Sequence, residues 1–342
     1  MSKIRVAING FGRIGRNAFK IAFIKHDIDI VAINDLTDNA TLAHLLRHDS
    51  NYGHYNKKVT SDEKNIIVEG KKIAVFAEKD PTRLPWQELD IDVVIECTGF
   101  FTTREGMEMH IKAGAKKVVL SAPEKHDDEG HEKDDTFVIG ANHHLLKDDQ
   151  KTISNASCTT NCIAPVMAIL AKEIGVEKSL MTTIHSYTAS QALQDAPNKD
   201  LREARNAAEN IVPTTTGAAI AAALTVPELQ DNFDGLSIRV PTPVVSLSDI
   251  TFISNRPTTV EEINSIIKKA VKSSHKDIVD YTEDQLVSRD FIGDPHSSIV
   301  DLGLTKVVGG NLCKVVAWYD NEWGYSNRLI EMVQMVGVNN KG

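Results

Sequence analysis

A chain of 342 residues is longer than one hydrophobic core usually serves, so two domains are expected. With 42% hydrophobic and 25% charged residues it has the composition of an ordinary globular protein, and a formal net charge of -9 lacks the basic excess that a phosphate backbone demands; this excludes nucleic acid as its main partner. The longest apolar runs, "IAPVMAILA" and "GAAIAAAL", fall well short of the roughly 18 residues that cross a bilayer.

The N-terminus passes from "MSK" into the strand-like "IRVAI" without a signal-type apolar core, and the four cysteines are dispersed, with no C-x-x-C pair. A cytoplasmic protein with reduced thiols and no metal centre is expected. "KIRVAINGFGRIGRNAFKIAF" reads as a strand, a glycine turn and a helix, and "DIDIVAIND" as the next strand. Gly10, Gly12 and Gly15 have the G-x-G-x-x-G spacing in that context. The first permits the tight turn, the second lets backbone approach a pyrophosphate, and the third lets helix and strand pack closely. Asp35 ends the second strand about 20 residues on, where a carboxylate bonds ribose hydroxyls and disfavours a 2′-phosphate, so NAD is expected over NADP.

Strands are predicted at "VVIECTG", "KKVVLSA" and "TFVIGAN", with a helix in "TTREGMEMHIKAGA", so the α/β alternation of a doubly wound, Rossmann-type domain persists to about residue 155. The charged stretch 123–135, "PEKHDDEGHEKDD", reads as a solvated loop. Beyond it the pattern becomes α+β, with a mixed, mainly antiparallel sheet: a helix in "TTNCIAPVMAILAKEIG", bent by Pro165, then strands in "SLMTTIHSYT", "LSIRVPTPVVSLSDITFIS" and "CKVVAWYDN", and a helix in "TVEEINSIIKKAVKS". The dinucleotide-binding domain is placed at 1–157 and the catalytic domain at 158–320. The final amphipathic helix, within 321–342, returns to the first domain through Leu329, Met332, Val333 and Val336.

Cys158 stands apart from the other cysteines. It opens a predicted helix among Ser157, Thr159, Thr160 and Asn161, where a helix N-terminus lowers a thiol pKa. A nucleophilic thiol needs a proton acceptor, and His185 near the end of a strand is the candidate. Cys162 is read as a packing residue, and Cys97 and Cys313 as core.

"INGFGRIGR", "ISNASCTTNCIAP", "HSYT", "IVPTTTGAA", "IRVPTP" and "WYDNEWGYSNR" occur in an order and spacing that resembles the phosphorylating glyceraldehyde-3-phosphate dehydrogenases, nearly end to end. The resemblance implies NAD-dependent oxidation and phosphorylation of glyceraldehyde 3-phosphate, with Cys158 as acyl carrier and His185 as its base. It further implies Thr188 and Arg239 as contacts to the substrate phosphate, and Ser157, Thr159, Thr216 and Gly217 as contacts to attacking inorganic phosphate. On the cofactor side it implies Arg13 and Ile14 at the pyrophosphate, Ser121 beside the nicotinamide ribose and Asn321 at the nicotinamide ring. A homotetramer is implied too, with the long connection "YTASQALQDAPNKDLREARNAAEN" reaching a neighbouring subunit.

Several positions depart from the family pattern. Ile220 stands for a common lysine, Val244-Val245 for an asparagine-containing pair, and Glu203 interrupts a run often richer in arginine, which weakens the expected inorganic-phosphate site. Ala196-Pro197 is intermediate between NAD-using and NADP-using members. The alternatives are an erythrose-4-phosphate dehydrogenase that hydrolyses its thioester, which Ser186 resembles, and a non-catalytic NAD-binding scaffold.

Overall fold

The computed structural model describes residues 3–125 and 135–338. Most of the charged stretch predicted over 123–135 lies outside them. The chain divides into two compact units, one of Met1–Phe137, Leu145–Ala156 and Ser326–Gly342, the other of Val138–His144 and Ser157–Tyr325.

The first unit is built on an eight-stranded sheet in the order Thr152–Ser154, Lys117–Leu120, Val93–Glu96, Ile4–Asn9, Ile28–Asn34, Lys71–Phe76, Asn65–Val68, Val59–Ser61. The strands from Thr152–Ser154 to Lys71–Phe76 run parallel and the last two antiparallel. Val93–Glu96 and Lys117–Leu120 are buried at every position, which explains why they read as unbroken apolar runs and not as alternations. The crossover helices start where short polar side chains satisfy first-turn amides: Asp38 accepts from Thr41 N–H, and Thr103 from Gly106 N–H. In the final helix, Trp323–Val338, the residues Leu329, Met332, Val333 and Val336 are fully buried. A Cβ on Gly337 would lie 2.6 Å from Ile4 Cγ2, so the helix and the first strand meet without room for a side chain there.

The second unit carries a mixed sheet in the order Val212–Thr214, Phe233–Val240, Lys178–Ser186, Ser246–Ile253, Leu312–Tyr319, Ser298–Asp301, Val279–Thr282, with Lys306–Val308 also paired to Leu312–Tyr319. Lys178–Ser186 pairs parallel to Phe233–Val240 and antiparallel to Ser246–Ile253. Its burial alternates: Met181, Thr183 and His185 are buried, whereas Leu180 on the opposite face is 65% exposed. The helices Cys158–Ile174 and Val260–Val271 pack in this unit.

Three expectations are corrected. "TFVIGAN" is not a strand: Thr136 makes one isolated bridge to Ser154, after which Asn142 Oδ1 accepts from Val138 N–H and Gly140 takes φ +92°, so the chain turns before a ladder can form. The short strand Thr152–Ser154 takes the edge position instead. "LSIRVPTPVVSLSDITFIS" is two strands, Phe233–Val240 and Ser246–Ile253, because the segment holding Pro241 and Pro243 leaves the ladder and Val245 adopts φ +70°. Finally, the first two turns of the Cys158 helix, expected to be irregular ahead of Pro165, are α-helical, and the helix continues through the proline to Ile174.

Candidate active site and dinucleotide cleft

In the first unit the glycine turn is shaped by sterics. Gly10 has φ +90°, and a Cβ on it would fall 2.7 Å from Thr98 N; a Cβ on Gly15 would fall 2.2 Å from the Gly10 carbonyl oxygen. Neither position admits another residue without backbone movement. Among the described residues, chain neighbours and the helix's own backbone aside, nothing lies within 4 Å of the Cβ position of Gly12, so the turn is open on that side. Gly12 is also the N-cap of the helix Arg13–Ala22, whose N-terminal amides, those of Arg13 and Ile14 foremost, form the positive end of its dipole. The Arg13 guanidinium pairs with buried Asp49 at 2.8 Å. Asp35 accepts from Phe11 N–H at 2.8 Å and from Thr37 N–H at 3.0 Å, which fixes its carboxylate beside the turn.

Sequence reasoning missed what stiffens this turn from behind. The Trp86 indole donates to His110 Nδ1 (3.0 Å), so the imidazole proton sits on Nε2 and is donated to Glu96 Oε2 (3.1 Å). That carboxylate also accepts from Asn9 Nδ2 at 2.6 Å, and through Oε1 from the backbone and hydroxyl of Thr98. Glu96, His110 and Trp86 are fully buried, and together they tie Asn9, just before Gly10, to the loop that crowds it. Around the turn lies a cavity of about 580 Å³ lined by Asn9, Gly10, Gly12, Asp35, Thr98 and Phe100, among others. Phe100 is 86% exposed and Leu36 60%, apolar surface suited to the face of a flat ring. Open backbone at Gly12, helix amides, a fixed carboxylate and apolar rims match the parts of a dinucleotide. Ser121 lies in the same unit, where its side chain is a hydrogen-bond partner of the Cys97 thiol.

In the second unit, sheet register builds the chemistry. His185 and Arg239 are direct partners in the parallel pair, and Ser246 pairs with Tyr319. Cys158 is the first residue of its helix, behind Ser157, whose hydroxyl accepts from Thr160 N–H, and Ala156, which takes φ +54°. The sulfur lies 3.5 Å from His185 Nε2. On the other side of the ring, Nδ1 is 2.7 Å from the Ser186 carbonyl oxygen and 2.5 Å from Arg239 Nη1.

Burial pushes the Cys158 thiol above its ordinary pKa; the Arg239 charge and hydrogen bonds from Thr159 and from backbone amides pull the other way without prevailing. The expectation of a thiol acidified by its helix terminus alone is therefore corrected: desolvation of the anion outweighs the dipole. Burial, with help from Arg239, also presses His185 down to about 3, so its imidazole is uncharged at neutral pH. A thiol reluctant to ionise beside an uncharged imidazole is a pair whose chemistry allows a proton to pass from sulfur to nitrogen as a bond forms at the sulfur.

Two supports were invisible in the sequence. Tyr319 shares hydrogen bonds with Thr159 Oγ1 (2.9 Å) and Thr183 Oγ1 (2.8 Å), and its ring stands edge-on to His185. Asn321 Oδ1 accepts from the hydroxyls of Ser186 and Ser246, each at 3.1 Å. Ser246 Oγ already accepts from Ser186 N–H, so its own proton must go to the amide oxygen, and the Asn321 Nδ2 donors are left to face elsewhere.

The other predicted residues are less clearly gathered. Thr188 Oγ1 bonds Ser190 Oγ, Thr216 Oγ1 accepts from Ala218 N–H, and Gly217 caps the helix Ala218–Thr225. Thr216 lines a hollow of about 610 Å³ that also holds Asp200 and Asp234, while Glu203 takes the Thr214 hydroxyl. Another hollow, about 1050 Å³, lies on the outer face of the sheet, and its lining includes neither Cys158 nor His185.

Residues 4–104 match the family model described as the NAD binding domain of glyceraldehyde 3-phosphate dehydrogenase, and residues 157–321 its C-terminal domain. Glyceraldehyde-3-phosphate dehydrogenase of Zymomonas mobilis is 50% identical over 331 residues, 96% of this chain and 97% of the relative. The enzymes of Geobacillus stearothermophilus (49% over 336 residues, 97% and 98%) and Borreliella burgdorferi (50% over 338 residues, 97% and 99%) are similar to the same degree. The glycine turn with its fixed carboxylate and the thiol–imidazole pair thus fall in the two matched segments, and the chain belongs to the glyceraldehyde-3-phosphate dehydrogenase family.

Proposed function

We propose that the chain oxidises glyceraldehyde 3-phosphate with NAD and transfers the acyl group to inorganic phosphate, giving 1,3-bisphosphoglycerate. The observation that carries this reading is the 3.5 Å approach of Cys158 Sγ to His185 Nε2 within one unit, with Arg239 against the same ring. His185 Nε2 takes the thiol proton as sulfur adds to the aldehyde carbon, and returns it to the oxygen to give a thiohemiacetal. When bound, oxidised nicotinamide supplies the acceptor for the hydride. His185 withdraws the hydroxyl proton in that oxidation, so that a thioester remains on Cys158. A phosphate oxygen then attacks the thioester carbonyl, and collapse of the adduct expels the Cys158 thiolate.

In this reading Arg239 and Thr188 hold the phosphate ester of the substrate, a charge-assisted role that suits a guanidinium whose Nε is buried without a partner among the described residues. Ser157, Thr159, Thr216 and Gly217 receive the attacking phosphate. Gly10, Gly12, Arg13, Ile14, Gly15 and Asp35 hold the dinucleotide, Ser121 its nicotinamide ribose, and Asn321 offers its Nδ2 donors to the ring substituent.

One observation favours hydrolysis of the thioester instead: Asp200 and Asp234 beside Thr216, and Glu203 on Thr214, put negative charge near the residues assigned to inorganic phosphate. Steady-state assays of the purified protein with NAD and with NADP, each with and without phosphate or arsenate, decide. We expect NAD reduction that requires one of the anions. Equal rates without them establish the hydrolytic branch, and tight NAD binding with no reduction by any aldehyde phosphate establishes the scaffold.

A homotetramer is proposed on the exposure of Leu180, Leu236 and Leu312 on the outer sheet face and of Leu193 and Leu201 in the long connection, apolar surface that a second copy would cover. Light scattering on the eluting protein tests it. A cytoplasmic location is proposed because a catalytic thiol needs a reducing compartment.

A further inference from the structure

The hydrogen bonds behind the glycine turn have a fixed direction. The Trp86 indole can only donate, so His110 Nδ1 keeps a lone pair and the ring is the neutral tautomer with its proton on Nε2. At the other end the Glu96 carboxylate only accepts: His110 Nε2 and Asn9 Nδ2 converge on Oε2, and the Thr98 N–H and hydroxyl on Oε1. None of these donors carries a charge, yet Glu96 is fully buried. The carboxylate is therefore held by directed hydrogen bonds and not by a cation, and the loss of one is felt by the rest.

From Glu96 two arms reach the lining of the dinucleotide cavity. One passes through Thr98, whose hydroxyl donates to Glu96 and accepts from Phe100 N–H at 3.1 Å, so the same carboxylate places the loop that carries exposed Phe100. The other passes through Asn9, whose Oδ1 accepts from Asn34 Nδ2 at 2.7 Å. Asn34 Oδ1 accepts in turn from Glu78 N–H at 2.9 Å, and its Nδ2 also donates to the Glu78 carbonyl at 2.9 Å. Asn9, Asn34 and Glu96 are the last residues of three neighbouring parallel strands, Ile4–Asn9, Ile28–Asn34 and Val93–Glu96. A buried polar row thus ties together the carboxyl ends of the strands, the edge at which such sheets bind ligands, and Asn34 immediately precedes Asp35.

We propose that Glu96, oriented by His110, is the positioning residue of the dinucleotide site: it holds the three strand ends and the Thr98–Phe100 loop in the binding geometry before NAD arrives, so that binding does not have to order them. This rests on the assignment of the cleft to NAD and adds which buried side chains set its affinity. Neither Glu96 nor His110 lines the cavity; they act through Asn9, Asn34 and Thr98, which do. The half of NAD they serve is the one held at Asp35 and Phe100, so a nucleotide without the nicotinamide feels their loss as strongly as NAD does. Trp86 stands one bond further back. Without its indole, His110 still keeps the proton on Nε2, because Glu96 takes it.

The test is isothermal titration of NAD, and of ADP-ribose, which lacks the nicotinamide, into the full-length protein, with the thermal midpoint of each variant recorded. In His110→Leu, which takes a donor from Glu96, the Kd for both ligands should rise about tenfold. His110→Gln, whose amide can still donate there, should stay within about twofold of the wild type. Trp86→Phe separates positioning from mere structure: it opens a gap in the core, so the midpoint falls, but Glu96 keeps all its donors and the Kd should hold within about twofold. Should His110→Leu fail to fold, Thr98→Val and Thr98→Ser give the same contrast on the other arm, with valine losing about tenfold in affinity and serine keeping it. An unchanged Kd in His110→Leu or in its Thr98→Val substitute, a Kd that rises in every variant in step with the fall in midpoint, or a loss confined to NAD with ADP-ribose unaffected overturns the proposal. Absence of NAD binding by the wild type sinks the cofactor assignment instead, so the two failures are told apart.

Discussion

The dinucleotide cleft and the thiol site solve opposite problems. Around Gly10, Gly12 and Gly15 the chain makes room by omitting side chains, and the shape is held by backbone contacts as close as the 2.2 Å that a Cβ on Gly15 would leave to the Gly10 carbonyl. Around Cys158 the chain crowds polar side chains from four strands and a helix terminus, each fixing the next, in surroundings that disfavour charge on either member of the thiol–imidazole pair. The first region should fail abruptly when volume is added. The second should fail by degrees as donors and acceptors lose their partners, except at the sulfur itself.

Cys158→Ser breaks the comparison most severely. A serine hydroxyl beside the same imidazole is a far weaker nucleophile, so turnover should vanish while the NAD affinity of the first unit, measured by equilibrium dialysis, stays as in the wild type. Gly15→Ala is the counterpart on the cleft side. Its added carbon has nowhere to go, and a loss of NAD binding is expected together with a lowered thermal midpoint, read by calorimetry; unchanged binding would mean that the turn is softer than its geometry implies.

The pH dependence of stability distinguishes the regions next. His185 titrates near 3 when folded against 6.5 when unfolded, so protons favour the unfolded chain. Its contribution is fully present above pH 6.5 and is lost as the pH falls from there towards 3. The slope is at most about 1.4 kcal/mol per pH unit, on the order of a few kcal/mol over the whole interval. Denaturant titrations at successive pH values should show this slope in the wild type and a flatter one in His185→Gln. Tyr319→Phe should have the smallest effect, about 1 to 3 kcal/mol of stability, because it leaves the hydroxyls of Thr159 and Thr183 without their shared partner.

What could be read from the sequence follows the same division. The glycine turn is contiguous and its logic is local, so strand, turn, helix and Asp35 were legible together. Cys158 was legible because its polar neighbours are adjacent in the chain. Tyr319 and the Ser186–Ser246–Asn321 cluster were not, because their partners meet only in the folded chain, across 60 to 160 positions of sequence. The direction of the thiol shift was misread for a related reason: a helix terminus shows in sequence, whereas the burial that opposes it does not. "TFVIGAN" was misread because an apolar run looks the same whether its amides meet a ladder or, as Val138 does, a side-chain carbonyl.

The proposed reaction stands or falls on covalent chemistry at one sulfur. Rapid mixing of the NAD-loaded protein with glyceraldehyde 3-phosphate in phosphate-free buffer, followed by quenching and mass spectrometry, reads it directly. A burst of NADH equal to the number of active sites, with an acyl group on the Cys158 peptide that added phosphate removes, is the predicted result. A burst without acylation of Cys158, or continued turnover in which no acyl group accumulates there, would contradict it.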